Sequence, residues 1–482
     1  MSLVRFRLAH ARPSRHSWPE ETAIRWIKDE PHVVGRSAMP NEAHLRNAAD
    51  IPNDSSTMDQ SDAWRTSRRS LLLGGSVASL GAAAGFGLPL GGGSVGLTSA
   101  ALAQSAPAAP AANRPQPFDY PGKDKGLVLL GDRPLVAETP ESLLDDDTTP
   151  VGKFFVRNNG QIPDETKQPD TWSIKIEGEV DRPLTLTTAE LKSRFAAQTM
   201  RMVLECGGNG RAFFQPPGRG NQWTNGGAGC AEWTGVRLAD VLKAAGLKDS
   251  AKFTGHYSAD PHLSGEAGKD AISRGMPIEK ALEPHSMLVW AMNGEPLSHI
   301  HGGPLRLIVP GWPGSLSSKW LTRVLVRKDP HDGQGMGGTS YRVPTVPLIP
   351  GSNADGKTNF TDMTSMPTRS IITAPANGTR FAAGTRQLSL RGAAWAGDHD
   401  VQKVEVSVDA GQRWHSVEMA RPKNRYDWVR WTGTVALPSD GYFELWVRAT
   451  DSRGVAQPHV ATNWNPQGYG ANPFHRIAVL VG

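Results

Sequence analysis

L-E-C-G-G-N-G-R, Leu204 to Arg211, sets a cysteine ahead of three glycines, an asparagine and an arginine, in a chain of 482 residues with two cysteines. An apolar stretch, Met202 to Leu204, ends just before it. Glycines let the backbone come close to a bulky group because no Cβ stands in the way. Asn209 and Arg211 add donors, and a thiolate is a soft ligand suited to a transition metal. Two plainer readings stand beside this one: a Cys206–Cys230 disulfide, and a buried inert thiol. The surrounding Gly-Gly-Asn-Gly-Arg favours neither and looks like a site for a polar, anionic ligand.

The bulk numbers narrow the rest. The length predicts two or three domains, each able to bury a core. Hydrophobic residues make up 38% and charged residues 21%, an ordinary globular composition, and 52 Gly and 37 Pro predict many turns. The net charge of +5 comes with no dense basic run, so we expect no nucleic-acid partner. Two cysteines are too few for a disulfide scaffold or an all-cysteine iron–sulfur site. No C-x-x-C-H is present, which excludes a covalently attached c-type haem in this chain.

T-S-R-R-S-L-L-L, Thr66 to Leu73, opens an apolar, small-residue run that extends to about Leu90. Arg68 and Arg69 form a twin-arginine export signal, and Ala101-Leu102-Ala103 fits its cleavage site. The repeated glycines make this run a poor spanning helix, so no membrane span is expected in the mature protein. The expected layout begins with an extension at 1–57, outside the fold. A signal comes next at 58–103, then an Ala/Pro-rich linker at 104–120. Met58 is the expected true start, and the expected location is the periplasm.

Beyond the linker, Ile174 and Ile176 alternate with polar residues in W-S-I-K-I-E-G and predict a strand. Thr187 and Glu190 form a capping box for a short helix. Leu238, Val241, Leu242 and Ala245 lie at helical spacing, with Gly246 as the stop. L-R-L-I-V-P, Leu305 to Pro310, reads as a short strand. Helix and strand signals mix without βαβ alternation, so the predicted class is α+β for a domain at 121–345. A Gly/Pro/Thr-rich stretch from His331 to about Met366 reads as a long ordered connection, placed between the domains at 346–367. From 368 to 482, alternation at Val404, Val406 and Val408, a second strand at Tyr442 to Arg448 and regular turns predict an all-β sandwich.

L-E-C-G-G-N-G-R resembles the C-x-G-N-x-R signature of the sulfite oxidase family of molybdenum enzymes. Further stretches match in order. F-F-V-R-N-N-G, Phe154 to Gly160, resembles F-V-R-N-H, and W-T-G-V-R-L-A-D-V-L, Trp233 to Leu242, matches the stretch after the cysteine. R-G-M-P-I-E-K-A-L and W-A-M-N-G-E-P-L match too, then H-G-G-P-L-R-L-I-V-P-G and S-S-K-W-L. V-S-V-D-A-G-Q-R-W and W-N-P-Q-G resemble the family's Ig-like dimerisation domain.

The resemblance implies a molybdenum–molybdopterin cofactor with Cys206 as metal ligand. It implies that Phe155, Val156, Arg157, Asn158, Asn159, His301, Arg306, Ser317, Ser318 and Lys319 hold the pterin and its phosphate. Arg157 and Arg211 are implied beside the oxyanion substrate, with Tyr341 of S-Y-R close to the reacting centre. Asn159 stands in place of a histidine, Leu316 where eukaryotic members often have arginine, and Gln467 where animal members have a third substrate arginine. A pterin-holding aspartate of the animal members has no clear counterpart; Asp260 is the candidate. The implied activity is oxidation of sulfite to sulfate, with electrons passed to a separate c-type cytochrome and a homodimer formed through 368–482. Two relatives of that activity compete with it: a sulfane dehydrogenase subunit, whose motif reads closer to C-A-A-N-G, and a methionine-sulfoxide reductase, which lacks the sandwich. A catalytically inert exported Ig-like binding protein is the reading from another class.

Overall fold

The computed structural model describes residues 118–352 and 359–482. The twin-arginine stretch, its cleavage site, segment 1–57 and nearly all of the linker lie outside the described residues.

Local signals set the predicted elements. Ser173–Gly178 is a strand that buries Ile174 and Ile176 and leaves Ser173 and Lys175 exposed. Helix Thr188–Arg194 starts at the capping box: the Glu190 N–H donates to Thr187 Oγ1 at 3.1 Å, and the Thr187 N–H donates to Glu190 Oε2 at 2.8 Å. Each such contact satisfies a donor the first turn leaves open, worth about 1 kcal/mol. Helix Leu238–Ala245 buries its four predicted apolar positions, and Gly246, at φ +72°, ends it by donating its N–H to Lys243 O. That φ suits glycine and strains other residues.

Three sheets build the first domain. One has strand order Leu184–Thr187, Ser173–Gly178, Leu321–Arg327, Phe253–Ser258, Arg274–Pro277, and its one parallel pair is Leu321–Arg327 with Ser173–Gly178. Its apolar face packs with helix Leu238–Ala245 and Leu305, Leu307 and Val309 into a core. The second has order Glu295–Pro296, Met287–Met292, Ala228–Arg237, Gln198–Glu205, with Arg306–Ile308 also on Met287–Met292. The third is small: Val128–Asp132, Leu135–Glu138 and Val156–Arg157. Strands dominate; the α-helices among the described residues are the two above and Ile278–Leu282. The predicted connection carries structure of its own, since Arg342–Pro344 pairs antiparallel with Phe360–Asp362.

The second domain consists of two sheets. Arg369–Ala374, Gln387–Trp395, Val429–Ala436 and Glu418–Met419 make one; Thr379–Phe381, His475–Val481, Gly441–Asp451, Val401–Ser407 and His415–Ser416 make the other. Ile372, Leu388, Leu390, Trp431 and Val435 of the first meet Val404, Val406, Leu445, Val447, Ile477 and Val479 of the second. Alternate residues therefore face a shared core, as the sequence alternation requires.

Candidate active site

Strand Gln198–Glu205 delivers the cysteine. It pairs antiparallel with Ala228–Arg237, and the Cys206 N–H extends the ladder by donating to Gly227 O at 2.8 Å. The chain then turns: the Asn209 N–H donates to Cys206 O at 2.9 Å, and Gly210 takes φ +83°. Asn209 locks this turn from the side. Its Nδ2 donates to Glu205 Oε1, and its Oδ1 accepts from the Gly227 N–H. A Cβ at Gly208 would lie 2.4 Å from Arg211 Nη2, so a larger residue there would collide with the guanidinium. Gly208 thus serves close packing of the loop on itself, and Gly210 close packing on the second domain, where a Cβ would lie 2.4 Å from Ala471 O.

Cys206 lines a cleft of about 670 Å³ of open space. Strand ends from all three sheets reach it. Phe155 and Arg157 come from the last strand of the small sheet and its entry, and Asn158 and Asn159 from the turn just beyond that strand. Leu204 and Cys206 come from the second sheet, and Ser258 and Asp260 from the end of Phe253–Ser258. His301, Arg306, Ser317, Ser318, Lys319, Trp320 and Tyr341 complete most of the wall. Trp320 and Tyr341 hold φ of +46° and +50°. A left-handed backbone costs a non-glycine residue about 1–2 kcal/mol, so the surrounding structure holds these two rings where they are.

The charge balance of the wall is one-sided. Arg157, Arg306 and Lys319 face one carboxylate, Asp260. Burial, then the charge of Arg306, pushes Lys319 well below the usual lysine range, while its Nζ donates to Asn158 Oδ1 and Ile300 O, each at 2.7 Å. Burial raises Asp260 to about 6. Arg306 donates to His301 O and Ser317 O, yet its Nε finds no partner. Arg157 Nη1 and Ser315 Oγ are likewise buried without a partner. Buried donors without acceptors cost about 1–3 kcal/mol each, which an anion in the cleft relieves.

The structure brings together Cys206, Phe155, Arg157, Asn158, Asn159, His301, Arg306, Ser317, Ser318, Lys319 and Tyr341, with Asp260 beside them. Two expected residues stand elsewhere. Val156 points into a core with Phe118, Leu127, Ala137 and Ile300, because strand neighbours alternate in direction. Arg211 does not line the cleft: its Nε donates to Gln467 O at 2.7 Å and its Nη1 to Asn221 O at 2.8 Å. Backbone carbonyls have claimed those donors, and the guanidinium stacks 5.4 Å from the Tyr469 ring. Gln467 turns its Nε2 to Thr339 Oγ1 at 2.9 Å. The Tyr341 hydroxyl donates to Asn159 Oδ1 at 3.3 Å, so the substituted position is used. The disulfide alternative is not realised: both cysteines are free. Cys230 lies against Asp427, and burial holds its thiol well above the usual range.

Sequence reasoning missed a layer behind the wall. Tyr469 stacks on Tyr341 at 5.1 Å, and the Arg274 guanidinium lies 4.6 Å from the Tyr341 ring. Tyr469 directly follows W-N-P-Q-G, but nothing local marks it. Trp223, fully buried with its Nε1 unpaired, meets Phe155 edge to face at 5.9 Å.

Among the described residues no group of three or more His, Cys, Asp or Glu could hold a metal unaided. A metal at Cys206 would therefore take further ligands from a cofactor. The wall fits a pterin phosphate of this kind: a soft thiol at one point, unsatisfied buried donors, and an excess of cations.

Comparison with known proteins agrees. Residues 159–335 match the oxidoreductase molybdopterin-binding domain, and residues 361–482 match the Mo-co oxidoreductase dimerisation domain. The chain is similar to sulfite oxidase of Gallus gallus, at 32% identity over 382 residues, covering 77% of this chain and 81% of that protein. It is 27% identical to a nitrate reductase of Aspergillus niger, spanning 46% of that longer protein. Among solved structures it resembles the sulfane dehydrogenase SoxCD of Paracoccus pantotrophus, with a TM-score of 0.61 and 26% identity, covering 78% of this chain and 93% of that one. This chain, with its molybdopterin-binding and dimerisation domains, belongs to the sulfite oxidase family of molybdenum oxidoreductases.

Proposed function

We propose that this protein is a periplasmic, molybdenum-dependent sulfite dehydrogenase, exported through the signal at Arg68 and Arg69. It acts as a homodimer joined through residues 368–482 and passes electrons to a separate c-type cytochrome. The observation that carries the reading is the cleft itself, where Cys206 stands with Arg157, Arg306 and Lys319 and buried donors lack acceptors. Sulfite and water give sulfate, two protons and two electrons. When bound, the molybdenum cofactor supplies oxygen-atom transfer and two-electron redox chemistry.

The chain supplies placement and charge. Cys206 Sγ would ligate the metal. Arg306, Lys319, His301, Ser317 and Ser318 would hold the pterin and its phosphate. Arg157, with Nη1 unclaimed, binds an oxygen of the substrate anion and stabilises charge that grows on it. Tyr341 offers its hydroxyl from the same wall, and Phe155, Ile272 and Trp320 limit water. Purified protein assayed with sulfite and cytochrome c, alongside molybdenum analysis, tests this. Sulfite-dependent cytochrome reduction supports it; loaded protein inert to sulfite overturns it.

The likeness to SoxCD favours a second reading, oxidation of a sulfane sulfur. Turnover of a carrier-bound sulfane with none of free sulfite would select it. G-G-N-G-R after the cysteine and a cationic cleft favour the free anion.

A further inference from the structure

Lys123 lies outside the sequence motifs and both matched family domains, in the turn after Tyr120. Its Nζ has three neighbours at bonding distance: Val151 O at 2.6 Å, Phe154 O at 2.6 Å and His301 Nε2 at 2.9 Å. The two carbonyls can only accept. Below the value of about 7 to which burial lowers it, the lysine is an ammonium with three donors and no acceptor, so the third neighbour must then accept as well. His301 Nε2 is then the bare nitrogen, and a neutral ring carries its proton on Nδ1. The ring is 1% exposed, faces Phe154 edge on at 5.5 Å and belongs to the cleft wall. Burial, then the Lys123 charge, pushes His301 well below the usual imidazole range; the Val151 carbonyl opposes this and is outweighed, so the ring is neutral.

We infer that Lys123 is a positioning residue: its ammonium fixes His301 as the Nδ1–H tautomer, which presents a hydrogen-bond donor to an acceptor oxygen of the cofactor. The inference rests on the cofactor reading above. Without Lys123 the ring is free to place its proton on Nε2 and turn a lone pair toward that oxygen, exchanging attraction for repulsion. Lys123 acts through His301 and touches neither substrate nor metal.

The test uses purified wild type, Lys123→Arg and Lys123→Met, with ¹⁵N-histidine spectra at pH 6, below the value of about 7 to which burial lowers Lys123. The His301 signal is assigned by its loss in His301→Gln. Wild type and Lys123→Arg should show a bare Nε2 and a protonated Nδ1; Lys123→Met should shift the proton toward Nε2. Molybdenum retained per chain after gel filtration should fall about tenfold in Lys123→Met and hold in Lys123→Arg. Wild type with its proton on Nε2, or Lys123→Met with an unchanged tautomer and full molybdenum, overturns the inference. If Lys123→Met fails to fold, the wild-type and Lys123→Arg spectra still decide it. Wild type that purifies without molybdenum contradicts the cofactor reading instead, and the tautomer spectra then judge Lys123 separately.

Discussion

Arg369 Nε donates to Glu205 Oε1 at 2.8 Å, so the first strand of the C-terminal domain grips the residue directly before Cys206. Both side chains are essentially inaccessible. Arg369 also donates to Asn209 O at 3.1 Å and Asn225 Oδ1 at 3.2 Å. Trp395 Nε1 holds the other Glu205 oxygen at 2.7 Å. The second domain therefore braces the cysteine turn at its start and its middle. Replacing Arg369 by Met should leave a buried carboxylate unpaired and cost about 3–5 kcal/mol. Urea unfolding would read that loss, and pairing it with Glu205→Met should recover much of it. A loss below about 1 kcal/mol would mean the brace is incidental.

The two cysteines should behave as opposites. Cys206→Ser replaces a soft ligand with a hard one and should abolish sulfite oxidation. Cys230→Ser should keep full activity, since that thiol faces Asp427 in the interior. Equal losses from both would contradict the assignment.

The two arginines of the expected substrate site should also separate. Arg157→Gln removes an unclaimed donor worth about 1.5–3 kcal/mol to an anion, so kcat/KM for sulfite should fall roughly 10- to 100-fold with stability kept. Arg211→Gln strips bonds from Gln467 O and Asn221 O, so it should lower the unfolding free energy by roughly 2–4 kcal/mol. Steady-state kinetics at matched molybdenum loading, with parallel unfolding curves, would separate the two outcomes.

Glu138 gives a pH test. Burial raises its carboxyl from about 4.5 to about 7, despite the Thr224 N–H and hydroxyl that donate to it. A raised acid binds its proton more tightly folded than unfolded, so its contribution is favourable below about 4.5 and is lost as pH rises through about 7. At roughly 1.4 kcal/mol per unit, the penalty above pH 7 is about 3 kcal/mol. Glu138→Gln should raise stability at pH 8 and change it little at pH 4.5. An equal shift at both values would show that ionisation is not involved.

Signals that act within a few residues were legible. Thr187 and Glu190 cap their helix, and Gly246 ends the next. The cysteine turn with its glycines was readable too, because close packing leaves a mark in composition. What was not legible depends on partners distant in sequence. Lys123 meets His301 178 residues away, and Arg369 meets Glu205 across 164. Neither lysine nor arginine is marked locally for such a task. Arg211 shows the converse: its motif position predicted a substrate contact, but carbonyls at Gln467 and Asn221 took its Nε and Nη1 donors. The connection after His331 looked plain because the strands Arg342–Pro344 and Phe360–Asp362 are too short for alternation to register.

Molybdenum K-edge X-ray absorption on the purified protein would read whether Cys206 ligates molybdenum. The expected result is bound molybdenum with a sulfur shell, and a shell that loses its cysteine member in Cys206→Ser. Protein that purifies without molybdenum, or a sulfur shell unchanged by Cys206→Ser, would contradict it.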